Sequence, residues 1–307
     1  MSPRRQSEDQ IISRWIRNWP GRRHLAAGPG DDCALLCPVG KKEFIVLKTD
    51  AVVQDAHFKL DVAPRLIGAK AVNRVLSDFA AMGATPLTVL VTVGLPDSLS
   101  PDFVRKCYAG MAGAARKYGV SLAGGETTRS GELWFNVAGI GRVGKAQAVL
   151  RSSAKPGDFI FITGLLGGSA CGKHMTFTPR LAEGQWLARS GFATAMMDLS
   201  DGLGKDLPRL AKSSGVSFSL DPATLPVTRG CTVDQAVNDG EDYELLFTVR
   251  ASRRAELQKK WPFRARLTCI GRIEKPSRKY NTGGLKFSGF DLFLTRMPKK
   301  HETCRLT

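Results

Sequence analysis

Apolar positions recur along the chain at two periods, one helical and one alternating, and their order outlines the fold. Ile11, Ile12, Trp15, Ile16 and Trp19 share one face of a 3.6-residue repeat. Ser7 stands before them with Gln10 three positions on, the spacing of a capping box, so a helix is predicted to begin at Ser7. After the Gly28-Pro29-Gly30 turn, strands are predicted over residues 44–49 and near residues 51–58. A helix follows over about 64–82, closed by Gly83, and another over 102–118, with a β-rich run at 87–95 between them. Residues 133–143 read as a further strand. Beyond the polar segment 144–158, strands are predicted at 159–163, 195–199, 242–249 and 267–273, and helices at 202–213 and 252–261. The turn signature Lys155-Pro156-Gly157-Asp158 in that polar segment marks a domain boundary. The expectation is a mixed α/β protein of two domains, residues 1–146 and 147–307.

Composition narrows the class. At 307 residues and 43% hydrophobic content the chain can bury a substantial core. The longest apolar stretch, residues 86–96, is far short of the ~18 residues of a membrane span. The opening MSPRRQSEDQ has no apolar h-region, which predicts no secretory signal. Seven scattered cysteines without a C-x-x-C pair read as reduced thiols, so a cytoplasmic location is expected. The formal net charge of +17 is uneven: residues 250–307 hold sixteen Lys and Arg against four Asp and Glu. Such a segment attracts polyanions, or simply forms a solvated basic face.

The candidate chemistry is acidic. Gly167 to His174 comes close to a phosphate-binding G-x-x-x-x-G-K-[ST] loop, but His174 stands where the Mg²⁺-binding hydroxyl belongs, so a glycine-rich turn is the expectation. No G-x-S-x-G elbow is present. Instead, acidic residues recur beside glycines and at predicted strand ends: Asp31, Asp32, Asp50, Asp78, Glu126, Asp198, Asp201, Glu241 and Asp242. A single carboxylate of this kind is ordinarily a solvated cap. The helix over 64–82 argues otherwise, because Lys70, Asn73, Arg74, Ser77 and Asp78 form one polar stripe on a helix otherwise faced by Ala69, Val72, Leu76, Phe79 and Met82. A buried helix with such a stripe must turn it toward something wet, charged or metallic. Hard oxygen ligands without soft partners favour Mg²⁺.

The motifs GPGDDCALL, KTDAVVQDAHF, AVNRVLSDFAAMGATP, LAGGETTRSG, RSSAKPGDFIFITG, MMDLSDGL and DGEDYELLF occur in an order that resembles the thiamine-monophosphate kinases of the aminoimidazole ribonucleotide synthetase superfamily. The resemblance spans about residues 28–293. It implies two α/β domains, a homodimer paired through the N-terminal one, and transfer of phosphate from ATP to thiamine monophosphate with several Mg²⁺ ions. Position by position, it implies metal ligands at Asp32, Thr49, Asp50, Asp78, Glu126, Asp198 and Asp201. ATP contacts are implied at Tyr108, Gly125, Glu126, Arg151 and Ser200, with Arg151 as a phosphate clamp, and thiamine phosphate contacts at His57, Glu241 and Phe290. Transfer between phosphates needs positioning and charge neutralisation and no protein nucleophile.

Four features depart from the family pattern: Glu126 in place of aspartate, Lys48 in place of Ser or Thr, Asp239 in place of glycine, and a short interval between Gly172 and Ala195. Strand alternation sets Lys48 on the face of Asp50, bringing an ammonium toward the proposed metals, unless the strand edge turns it to solvent. Two other readings remain. One is another ATP-dependent enzyme of the superfamily. The other is a non-catalytic paralogue or an RNA-binding protein using residues 250–307, a segment with few aromatics and no recognised RNA motif.

Overall fold

The computed structural model describes residues 7–16, 24–37, 42–277 and 279–291. Helix α1 (Glu8–Trp15) starts at Ser7 through the expected capping box. Strands β1 (Leu25–Ala27), β2 (Ala34–Leu36) and β3 (Glu43–Val53) lead to helix α2 (Pro64–Ala81), strand β4 (Thr85–Leu95), helix α3 (Pro101–Lys117), and strands β5 (Ser121–Arg129) and β6 (Trp134–Gly144). The second half contributes β7 (Phe159–Thr163), α4 (Leu181–Ser190), β8 (Ala193–Asp198), α5 (Leu203–Ser214), β9 (Ser217–Leu220), α6 (Val233–Asn238), β10 (Leu245–Val249), α7 (Arg254–Lys260) and β11 (Leu267–Glu274). The first six strands form one sheet in the order β1-β2-β3-β6-β4-β5, and the other five form a second in the order β8-β10-β7-β11-β9. None of the described helices is long and apolar enough to cross a membrane.

Helix α2 is the element on which the two halves meet. It packs on α3, β3 and β6 from the first half and on α4 and β8 from the second. Val72, Val75, Leu76, Phe79 and Met82 are fully buried, and their cluster continues without a break into Phe161, Met196, Leu245 and Phe247 of the second sheet. The opposite face of that sheet supplies Ile160, Ile162, Ala195, Met197 and Leu246 to a separate cluster under α5. Both faces of the second sheet are therefore covered, which is why β10 reads LLFTV with every residue buried.

Several local expectations change. The strand predicted at 44–49 continues into the one predicted near 51–58 as a single strand, β3, paired along its whole length with β6; it ends at Val53, and residues 55–57 form a turn. The short interval after Gly172 still contains a helix, α4. Among the described residues the apolar face of α1 stays partly open, with Trp15 64% and Ile12 40% exposed, and Trp19 lies outside the described residues. What docks α1 is charge, with Asp9 paired to Arg209 and Glu8 to Lys205.

Close helix packing rests on glycine. A Cβ on Gly68 of α2 would lie 1.9 Å from the Cys107 carbonyl oxygen of α3, and one on Gly110 of α3 would lie 1.9 Å from the Arg65 carbonyl oxygen of α2. Gly68→Ala must push the helices apart and is expected to lower stability by about 3 kcal/mol, the upper end of overpacking costs. Gly113→Ala, whose Cβ would meet nothing, is expected to raise stability by up to ~1 kcal/mol through helix propensity. Urea unfolding of the two variants beside the wild type checks both signs.

Candidate active site

Three segments that the sequence scatters bring their carboxylates together. Asp32 comes from the loop before β2, Asp78 from the last turns of α2, and Asp198 from the end of β8. All three are buried, and one oxygen from each lies within 4.8 Å of the others. Alternation along β3 adds Lys48 and Asp50 from one face of that strand. The Lys48 ammonium is 2.6 Å from Asp78 Oδ1 and 3.8 Å from Asp50 Oδ1. Thr49 takes the other, exposed face, where its hydroxyl donates to Asn136 Oδ1 at 2.9 Å.

The cluster is held by a few strong contacts. Arg151 grips Asp32 with a fork, Nε to Oδ2 at 2.9 Å and Nη2 to Oδ1 at 2.7 Å, and its main-chain N–H donates to Asp31. Ser77 donates to Asp198 Oδ2 at 2.6 Å. The balance of charge is nevertheless unfavourable. Burial pushes the Asp78 carboxyl well above the usual range, and Asp50, Asp198 and Asp32 push the same way against the pull of Lys48. Burial, reinforced by Asp32, raises Asp198 to about 7. At Asp50 the desolvation is outweighed by Lys48 and Arg74, which hold it below its ordinary value. Buried carboxylates this close together call for more positive charge than Lys48 and Arg151 bring, and an all-oxygen donor set suits a hard divalent cation such as Mg²⁺.

A second polar group lies along the same stripe of α2. The Lys70 ammonium, fully buried, donates to the His57 carbonyl at 2.7 Å and pairs with Glu241 at 2.8 Å. Burial lowers the Lys70 pKa to about 8 against the pull of Glu241. Glu241 also faces His174 Nδ1 at 3.3 Å and accepts from the Tyr243 hydroxyl at 3.0 Å. The backbone reaches this arrangement at a cost, because Glu241 and Tyr243 both adopt positive φ, 52° and 51°. Their N–H groups donate to the carbonyls of Ser200 and Leu199, tying the DGEDYELLF loop to MMDLSDGL. His57 Nδ1 accepts from the Val53 N–H at 3.1 Å, which leaves the neutral ring with its proton on Nε2. Burial, with Arg74 nearby, lowers the His57 pKa to about 4. Arg74 donates to the Ala51 carbonyl at 2.8 Å, while its Nε and the Asn73 Oδ1 are buried without a partner.

The remaining expected residues lie outside these two groups. Asp201 is held by Arg209 and, at 3.3 Å, by Lys205. Phe290 is beside it, its N–H donating to the Asp201 carbonyl and its own carbonyl accepting from Lys205 at 2.7 Å. Gly125 and Glu126 are on β5, whose residues are all exposed, and Glu126 accepts from the Thr127 N–H. Gly125 is fixed by sterics: φ is 154°, and a Cβ there would lie 1.7 Å from the Val91 carbonyl. Tyr108 is half-buried on α3, edge-on to Phe135. Lys173 of the glycine-rich turn is used within the fold, donating to the Leu165 carbonyl and pairing with Asp242 at 2.9 Å. His174, Tyr243 and Phe177, stacked on Tyr243 at 4.0 Å, were not singled out from sequence as site residues. The aromatic inside DGEDYELLF is the signal that was available for Tyr243.

Comparison with known proteins supplies the relatives of this chain. Residues 30–143 match the family model for the AIR synthase related protein, N-terminal domain. The thiamine-monophosphate kinase of Salmonella typhimurium is 35% identical over 301 residues, covering 87% of this chain and 90% of that protein. Among solved structures, AaThiL complexed with AMPPCP and TMP superposes with a TM-score of 0.83 at 26% identity, covering 94% of this chain and 97% of that one. The thiamine-monophosphate kinase from Stenotrophomonas maltophilia gives 0.73 at 32% identity, covering 90% and 95%.

The Asp32–Arg151 fork yields a stability test. Arg151→Met keeps the bulk and leaves the buried Asp32 carboxylate without its cation, so the metal-free protein is expected to lose about 3 kcal/mol or more in urea unfolding.

Proposed function

The chain belongs to the thiamine-monophosphate kinase family, and from that premise we propose that it transfers the terminal phosphoryl group of ATP to thiamine monophosphate, giving thiamine diphosphate and ADP. The observation that carries the reading is the convergence of buried Asp32, Asp78 and Asp198 beside Asp50. Carboxylates repel phosphates, so such a cluster serves phosphoryl transfer only through bridging cations. The complex of the related AaThiL with AMPPCP, an ATP analogue, and TMP supports the choice of both substrates.

In this reading Asp32, Asp50, Asp78 and Asp198 hold Mg²⁺, with Thr49 through its main-chain carbonyl and with Asp201 and Glu126 as outlying ligands. When bound, Mg²⁺ screens the phosphate charges and acts as a Lewis acid on the transferring group. Arg151, already ordered by its fork on Asp32, clamps the ATP phosphates, and Tyr108, Gly125, Glu126 and Ser200 contact the nucleotide. Glu241, anchored by Lys70, and His57, a neutral Nε2–H donor, meet thiamine phosphate, and Phe290 stacks on its aromatic part. The acceptor phosphate oxygen is ionised near neutral pH, so no side chain has to act as a base. The work of the chain is to position two phosphates and hold their countercharge.

The reading includes domains at 1–146 and 147–307, each supported by its own sheet. It includes a homodimer, supported by Leu87, Leu90, Leu122 and Ile140, large apolar residues left exposed on β4, β5 and β6. A cytoplasmic location accords with the buried thiols of Cys33 and Cys107. The lysines and arginines of the basic segment stay outside the chemistry in this reading. Within its described part, Arg254 and Arg272 stack on Phe159 and Arg253 on Phe192, which is structural work. Residues 278 and 292–307 lie outside the described residues.

Purified protein given ATP, Mg²⁺ and thiamine monophosphate is expected to form thiamine diphosphate, resolved by chromatography. ADP released without thiamine diphosphate would point to another activity of the superfamily. Asp78→Asn is expected to fold and to lose more than about 100-fold in kcat, as when a preorganised electrostatic group is deleted. Lys259→Gln with Lys260→Gln, on exposed α7, is expected to leave kcat unchanged within a factor of two; a large loss in that variant would tie the basic segment to the chemistry.

A further inference from the structure

The Lys48 ammonium lies against two of the carboxylates assigned above to the metals. Its Nζ is 2.6 Å from Asp78 Oδ1 and 3.8 Å from Asp50 Oδ1, and among the described residues it is the cation ion-paired to either of them. The backbone fixes this direction. Alternation on β3 puts Lys48 on the α2 side of the sheet, and its partner across the β3–β6 ladder is Gly139. A Cβ on Gly139 would lie 2.7 Å from both Phe79 and Val75, so α2 rests directly on β6 there, which brings Asp78 within reach of a lysine on β3. Lys48 thus reaches the cluster from the face of β3 that α2 covers.

We propose that Lys48 is a built-in counter-cation, filling the position between Asp50 and Asp78 that a soluble divalent ion would otherwise take. The proposal rests on the metal reading given above and specifies its stoichiometry. A divalent ion bound to both Asp50 and Asp78 at ordinary ligand distances, about 2.1 Å for Mg²⁺, would overlap the ammonium that now touches Asp78. The two are alternatives at one place. The ammonium is a compact point charge on a flexible stem, and its charge needs no ion from solution. The cluster therefore binds one divalent ion fewer per chain than the same carboxylates would without Lys48, and the metal-free protein keeps part of its charge balance.

Mn²⁺ is the probe, its free concentration read by electron paramagnetic resonance against full-length, metal-stripped protein. Lys48→Thr, which clears both the charge and the space, is expected to bind one more Mn²⁺ per chain than the wild type, and Lys48→Arg to match the wild type. In EDTA the Lys48→Thr protein is expected to melt several degrees lower, and saturating Mn²⁺ to close the gap. Equal counts in wild type and Lys48→Thr, both folded by circular dichroism, overturn the proposal and leave the metal reading standing. A wild type that binds no Mn²⁺ overturns both. Should Lys48→Thr fail to fold even with Mn²⁺, Lys48→Gln takes its place, and a melting deficit that Mn²⁺ does not close overturns the proposal.

Discussion

Several carboxylates cannot share a buried space without cations among them, and the architecture of this protein follows from meeting that demand. Asp32, Asp78 and Asp198 are each buried within reach of one another. Each arrives with a partner built into the fold: the Arg151 fork for Asp32, the Lys48 ammonium for Asp78, the Ser77 hydroxyl for Asp198. Burial, with repulsion from the neighbouring carboxylates, still raises Asp78 and Asp198 above their ordinary range despite these partners. In the function proposed above, divalent ions supply the missing charge and, through them, the cluster meets phosphates.

Helix α2 makes the arrangement possible. It is buried between the first sheet and the second half of the chain, so its apolar residues join the two halves in one core while its polar stripe runs through the interior. That stripe meets both polar groups. Its last turns carry Ser77 and Asp78 to the acidic cluster, and its first half carries Lys70 to Glu241, 171 residues away in sequence. Displacing α2 would disturb packing and site together. Glycines at 68, 139 and 184 let α3, β6 and α4 lie close against it, so the positions of the site residues depend on contacts that bear no charge at all.

Much of this was legible in sequence, and the errors have physical causes. The stripe on α2 could be read because a 3.6-residue period separates polar from apolar positions whatever surrounds the helix. Strand β3 was split because Asp50 interrupts an apolar run; the structure keeps one strand, since Asp50 faces Lys48 within the cluster and the backbone ladder to β6 continues past it. Helix α4 was missed because Gly184 weakens its propensity, whereas in place that glycine is the contact with Ala80 of α2. Strand β5 gave no signal, being glycine-rich and exposed throughout; its place in the sheet comes from backbone pairing to β4. The sequence shows an apolar face on α1, yet α1 is docked by Asp9 and Glu8 on Arg209 and Lys205. Pattern alone could not reveal that.

By itself the sequence determined most of the long strands and helices, the acidic residues beside glycines, the polar stripe of α2 and the family those motifs belong to. All of these are written in local spacing and in residue type. Only the tertiary structure decided which charges meet: that Arg151 is committed to Asp32, that Lys48 turns inward to Asp78 and not out to solvent, that Glu241 is tied to Lys70, and that Thr49 looks away from the cluster. An ion pair depends on distance and burial. Both are set by how α2 packs between the two halves of the chain, and that packing is a property of no single segment.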